Sequence, residues 1–66
     1  MDITVNGETQ TVADNSTVAD LVRALDLEQK RIAVEFNRQI LRRELYAEQM
    51  LAAGDEVEIV HFVGGG

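Results

Sequence analysis

The sequence predicts an α+β fold in which a mixed sheet wraps around one main helix. Three observations predict it: a hairpin signature near the start, one helical apolar stripe after it, and a strongly β-prone segment near the end. Asp2-Ile3-Thr4-Val5-Asn6 alternates polar and apolar residues, and Asn6-Gly7 is the dipeptide that best supplies the two positive φ angles of a type I′ turn. With residues 8–12 resuming as a strand, this is a β-hairpin.

Thr17 then stands three positions before Asp20, the spacing of a capping box. Val18, Leu21, Val22 and Leu25 fall at i, i+3, i+4 and i+7, so a helix of about ten residues with one apolar face is expected. After the polar run 28–31, Ile32, Val34 and Phe36 alternate with Ala33 and Glu35, giving a strand buried on one side. Asn37-Arg38 reads as a turn and Gln39-Ile40-Leu41 as a short returning strand. Residues 43–51 read as an irregular connection with a helical turn that buries Leu45, Tyr46 and Leu51. Gly54-Asp55 turns the chain into residues 56–63, the most β-prone stretch, after which only glycines remain.

A sheet with a single helix covers only one of its faces, and the first hairpin and the last strand must share that sheet. The last strand is therefore expected at the centre, beside the first, which is the β-grasp arrangement. Residues 1–63 form the expected domain and 64–66 a flexible glycine tail.

Composition excludes much. A chain of 66 residues holds one modest core, worth roughly 3 to 10 kcal/mol of net stability. It has no cysteine, which removes disulfides, thiolate metal sites and thiol nucleophiles and fits a reducing compartment. No run approaches a membrane span, and Met1-Asp2-Ile3-Thr4 lacks the basic region of a secretory signal, so a cytoplasmic location and no membrane partner are expected. The formal net charge of −6 argues against nucleic acid and for a basic protein partner.

Catalytic chemistry finds no home. The one histidine, His61, has no cysteine or suitably spaced serine beside it. By strand parity it shares a face with Val57 and Ile59, which reads as a partly buried or strand-end side chain. One histidine builds no metal site alone, and a turn followed by a polar strand face accounts for Asp55, Glu56 and Glu58. Neither a catalytic residue nor a metal is therefore assigned.

Gly64-Gly65-Gly66 is different. At average glycine usage, three in succession at one place are expected about three times in ten thousand. Such residues make a thin strip of backbone that can enter a tunnel any Cβ would block, ending in a carboxylate. On the strand before them, if Val57 and Ile59 face the helix, then Glu58, Val60 and Phe62 face away. Together with Ala33 and Glu35 on the adjoining strand, these form the expected partner-binding face.

Residues 51–66, Leu-Ala-Ala-Gly-Asp-Glu-Val-Glu-Ile-Val-His-Phe-Val-Gly-Gly-Gly, resemble the end of the ThiS-type sulfur carriers of thiamine biosynthesis, and the resemblance spans the chain. Asn6-Gly7, Ser16-Thr17-Val18-Ala19-Asp20-Leu21, Ala33-Val34-Glu35-Phe36-Asn37 and residues 43–46 sit where that family has them. Two features depart from it: Arg42 precedes Arg43 where the family often has proline, and three glycines stand where many members have two. The resemblance implies a ubiquitin-like β-grasp carrier, not an enzyme. It binds no cofactor, and a partner adenylating enzyme of ThiF type uses ATP to activate its Gly66 carboxylate, with Gly64 and Gly65 entering partner active sites. Sulfur derived from a cysteine desulfurase or a persulfide relay then leaves a thiocarboxylate. A thiazole synthase of ThiG type takes up that sulfur to build the thiazole from deoxyxylulose phosphate and a glycine- or tyrosine-derived imine. The free carrier is expected to be monomeric. The alternatives are the small subunit of molybdopterin synthase, a ubiquitin-like modifier, against which the single Lys30 argues weakly, and a plain interaction module.

Overall fold

The computed structural model describes residues 1–62. The expected domain boundary after residue 63 and the expected tail of residues 64–66 lie outside them. In chain order come β1 (Asp2–Val5), β2 (Glu8–Thr11), α1 (Val18–Ala24), β3 (Ile32–Phe36), β4 (Gln39–Leu41), a 3₁₀ turn (Arg43–Leu45) and β5 (Glu56–His61). The sheet order is β2-β1-β5-β3-β4. β1 and β5 run parallel, and the other neighbouring pairs are antiparallel. The last strand is thus central, as the β-grasp arrangement requires.

Both hairpins turn on an asparagine. Asn6 and Gly7 have φ of 51° and 83°, and Asn37 and Arg38 have φ of 49° and 72°, so each pair supplies the two positive angles of a I′ turn. The first uses the favoured Asn-Gly, whereas the second places an arginine where glycine is usual.

The helix starts as expected and stops earlier. The Thr17 side chain accepts from the Asp20 N–H at 3.2 Å, and Asp20 Oδ2 accepts from the Thr17 N–H at 2.9 Å. The remaining free N–H groups of the first turn find partners in the incoming connection: Val18 donates to Gln49 C=O and Ala19 to Tyr46 C=O, each at 2.9 Å. At the other end, Asp26 N–H bonds Arg23 C=O at 3.0 Å and Leu27 N–H bonds Val22 C=O at 2.9 Å. That pair of bonds is a Schellman motif, with Asp26 at φ 64° in the position glycine usually takes. The helix therefore spans 7 residues rather than about ten, with Leu25 as its cap.

Ile3 and Val5 of β1, Val34 of β3, and Val57 and Ile59 of β5 close over Val18, Leu21 and Val22 of α1, with Tyr46 and Leu51 completing the core. Each such side chain contributes about 1.5–3 kcal/mol by leaving water. Burial also raises the Tyr46 phenol above its ordinary pKa, against a smaller lowering by the Arg43 charge. Leu45 departs from expectation. It is 44% exposed, because the 3₁₀ turn ends within three residues and only Tyr46 follows it inward. Strand ends shift too: β2 stops at Thr11, although the Val12 N–H still reaches Met1 C=O at 2.8 Å, and β5 stops at His61 rather than residue 63.

Candidate functional site

Because β5 is central, its alternation decides what the sheet shows to solvent. Val57 and Ile59 are buried against the helix, while Glu58 and Val60 are exposed on the other face. Phe62, next in the same alternation, is 56% exposed, and Val60 is 53% exposed. The Phe62 N–H still bonds Arg31 C=O at 2.9 Å, so the backbone stays on β3 to this point.

The strand register brings the expected face together. Ala33 stands opposite Val60, and Glu35 stands opposite Glu58. All five expected face residues, Ala33, Glu35, Glu58, Val60 and Phe62, therefore lie on the two adjacent central strands or just past their ends. Ile40 of β4 joins them. It pairs with Glu35 from the other side and is 69% exposed, an apolar side chain on the outer face that the sequence reading did not single out. The signal was the alternation in Gln39-Ile40-Leu41: Leu41 is half-buried on the inner side, so Ile40 points outward.

Apolar and acidic groups thus sit side by side, with Val60, Phe62 and Ile40 near Glu35, Glu56 and Glu58. Arg38 lies 3.9 Å from Glu56, a long contact between exposed groups. Among the described residues neither Glu35 nor Glu58 has an ion-pair partner. The face is consequently negative as well as apolar, which suits a partner surface with basic groups around an apolar centre.

Two side chains fasten β5 from its two sides, and the sequence reading missed both. On the β3 side, Asn37 Oδ1 accepts from the Glu56 N–H at 2.9 Å, the Asn37 N–H donates to Glu56 C=O at 2.8 Å, and Nδ2 reaches Asp55 Oδ1 at 3.2 Å. On the β1 side, Asn6 Oδ1 accepts from the Ile59 N–H at 2.7 Å and Nδ2 donates to Ile59 C=O at 3.2 Å. The only sign in the sequence was that both turns open with asparagine, whose carboxamide has the donor and acceptor of a peptide group.

His61 is exposed at the last position of β5. Of the two expectations for it, the strand-end one holds and partial burial does not, because the core beneath β5 ends at Ile59. Asp55 Oδ2 accepts from the Ala52 N–H at 2.7 Å, which ties the turn into β5, as expected of a turn residue. Among the described residues no group of three or more His, Cys, Asp or Glu side chains is placed to hold a metal ion. No helix among them is long and apolar enough to cross a membrane. Gly64, Gly65 and Gly66 lie outside the described residues.

Sheet order, single helix and exposed outer face define a small ubiquitin-like β-grasp protein. The ThiS family model matches residues 3–66, and the chain belongs to the ThiS family. It is 47% identical over 53 residues to the sulfur carrier protein ThiS of Bacillus subtilis, covering 80% of each chain. Its whole length is 36% identical to a stretch of a thiazole synthase from Paramagnetospirillum magneticum, and that stretch is 20% of the synthase. The crystal structure of a thiamine biosynthesis protein, ThiS, from Geobacter metallireducens superimposes with a TM-score of 0.83 at 39% identity, covering both chains fully.

Proposed function

We infer that this chain is a sulfur carrier protein of thiamine biosynthesis and that Gly66 bears the sulfur. The observation that carries this reading is the unbroken family match over residues 3–66, which takes in the outer face of β3 and β5 and the three glycines together. The chain is acted on by enzymes and is not one itself.

The chemistry follows from the terminal carboxylate. Resonance makes it a poor electrophile. An adenylating enzyme of ThiF type supplies ATP: a carboxylate oxygen of Gly66 attacks the α-phosphorus, and pyrophosphate leaves. The acyl-adenylate has a good leaving group. The outer sulfur of a cysteine-desulfurase-derived persulfide attacks the carbonyl carbon as the bond to AMP breaks. A second thiol on the donor side then attacks the inner sulfur of the resulting acyl disulfide, so that a disulfide forms there and the thiocarboxylate is released. Gly64 and Gly65 have no Cβ and so give the thin approach a buried active site requires. The carrier needs no thiol and no cofactor of its own, consistent with a chain without cysteine. The ATP this step consumes fits a cytoplasmic location.

A thiazole synthase of ThiG type is the proposed acceptor. A synthase containing a stretch similar to this whole chain supports it, since joining carrier and acceptor in one polypeptide raises their effective concentration. Docking on each enzyme in turn uses Val60 and Phe62 with Ala33, Glu35, Glu58 and the flanking Ile40. The same comparison favours a thiazole product over the pterin of the molybdopterin alternative.

The test is intact mass after incubation with ATP, the adenylating enzyme and a sulfur donor. One oxygen exchanged for one sulfur is expected, and removal of all three glycines abolishes it; deletion of Gly66 alone shows whether the last glycine or only a terminal glycine pair is required. Covalent attachment to other proteins would instead make the chain a modifier. Glu58→Lys combined with Val60→Asp should leave a folded protein that is not adenylated, and undiminished adenylation of that variant would refute the docking face.

A further inference from the structure

The β1–β5 ladder ends sooner than the strand it supports. β1 pairs through Val5 with Val57, and the chain then turns at Asn6 into β2. Along β5 the backbone groups alternate in direction. Asn37 N–H bonding Glu56 C=O, and Phe62 N–H bonding Arg31 C=O, show the even-numbered residues facing β3. The odd-numbered residues face β1, as Asn6 N–H bonding Val57 C=O at 2.9 Å shows. Ile59 is the next residue facing that side, and no β1 backbone remains to meet it. The Asn6 carboxamide meets it instead, accepting its N–H at 2.7 Å and donating to its C=O at 3.2 Å.

We propose that Asn6 is a positioning residue for the outgoing end of β5, its carboxamide serving as a side-chain continuation of β1 that holds Ile59 and, through it, the segment leading to Gly66. Only asparagine does both parts of this work. It tolerates the positive φ of the turn, and its side chain offers a peptide-like donor and acceptor in one plane. Glycine satisfies the turn alone, and aspartate keeps the acceptor but sets a negative oxygen against Ile59 C=O. Val60 and Glu58 are held separately, by β3, so loss of the carboxamide leaves the docking face bonded and loosens the strand laterally. Misplacement by a fraction of an ångström at a reacting group slows chemistry far more than it weakens binding.

The proposal rests on the reading of the chain as a carrier adenylated at Gly66, and its test separates the two. Adenylation kinetics with the partner enzyme would be measured for the full chain, Asn6→Gly, Asn6→Asp and, as a control that weakens the fold elsewhere, Thr17→Ala. Amide exchange at Ile59 and Val60 would be followed in the same proteins. For Asn6→Gly, Ile59 exchange is expected to quicken at least about tenfold relative to Val60, with kcat down about tenfold and KM for the carrier within about twofold. Asn6→Asp should fall between it and the full chain, and Thr17→Ala should keep kcat. The proposal is overturned if Asn6→Gly keeps its kcat, if Ile59 exchange does not change, or if Thr17→Ala loses as much. Absence of adenylation in the unmutated chain would overturn the carrier reading and the positioning role together, whereas equal adenylation of that chain and Asn6→Gly overturns the positioning role alone.

Discussion

Glu35 and Glu58 stand directly opposite each other on β3 and β5, both exposed on the face turned away from the helix. Like charges in this cross-strand position destabilise a sheet by roughly 0.2–1 kcal/mol. Glu58→Lys replaces that repulsion with an attraction, so the urea midpoint should rise and the unfolding free energy extrapolated from it should increase by about 0.2–1 kcal/mol. Adenylation should move the other way and fall at least about tenfold in kcat/KM, because the reversal sets a like charge against a basic partner surface. A variant that is more stable and more active would remove the case for an acidic docking face.

Ile40 flanks the same pair from β4. Since it is 69% exposed, Ile40→Ser should change stability by less than about 0.5 kcal/mol. If the apolar face extends across β4, this substitution raises KM for the adenylating enzyme several-fold without changing kcat. An unchanged KM would confine the face to β3 and β5.

The C-terminal cap of α1 carries avoidable strain. Asp26 holds φ 64° in a Schellman motif that glycine adopts freely. Asp26→Gly should stabilise the domain by about 0.5 kcal/mol, the relief of left-handed strain outweighing the added freedom of the unfolded chain. Chemical denaturation measures it directly, and a lower midpoint would contradict the assignment of strain.

Asp20 predicts the acid side of the stability profile. Its pKa lies below the ordinary carboxylate value, first through the Thr17 backbone N–H and then the Thr17 hydroxyl, opposed by desolvation, with the Arg23 charge adding the least. A carboxyl depressed in the folded state binds its proton more readily when unfolded. Its stabilising effect is therefore complete above the unfolded pKa of about 4 and is lost as pH falls through the folded value. The melting temperature of Asp20→Asn should lie below that of the unmodified chain at pH 7, with the gap narrowing below about pH 4. A gap independent of pH would mean the capping box does not depend on the charge.

Local chemistry made most of the fold readable. Asn6-Gly7, the Thr17 to Asp20 spacing and the alternation of β3 and β5 each act over a few residues, and each appears in the structure where the pattern placed it. The misreadings share a different cause. Asp26 ended the helix from a position where aspartate is uncommon, so the apolar stripe through Leu25 seemed to continue. Leu45 looked buried because periodicity says nothing reliable about a turn of three residues. The bonds from Asn6 to Ile59 cross 53 positions of sequence, and nothing near either residue announces the other. The face itself was legible because strand parity needs no knowledge of distant partners, whereas Ile40 depended on which way a three-residue strand was turned.

The parallel pairing of β1 with β5, together with the antiparallel hold of β3 on its other side, has a mechanical consequence. A partner that grips the chain beyond Phe62 pulls along β5, while the hydrogen bonds to β1 and β3 run across that direction. The load falls on both ladders in shear, so their bonds must yield together instead of opening one after another from a free edge. A strand at the rim of the sheet would peel. Placed at the centre, β5 can be drawn taut by its end while the domain behind it keeps its shape.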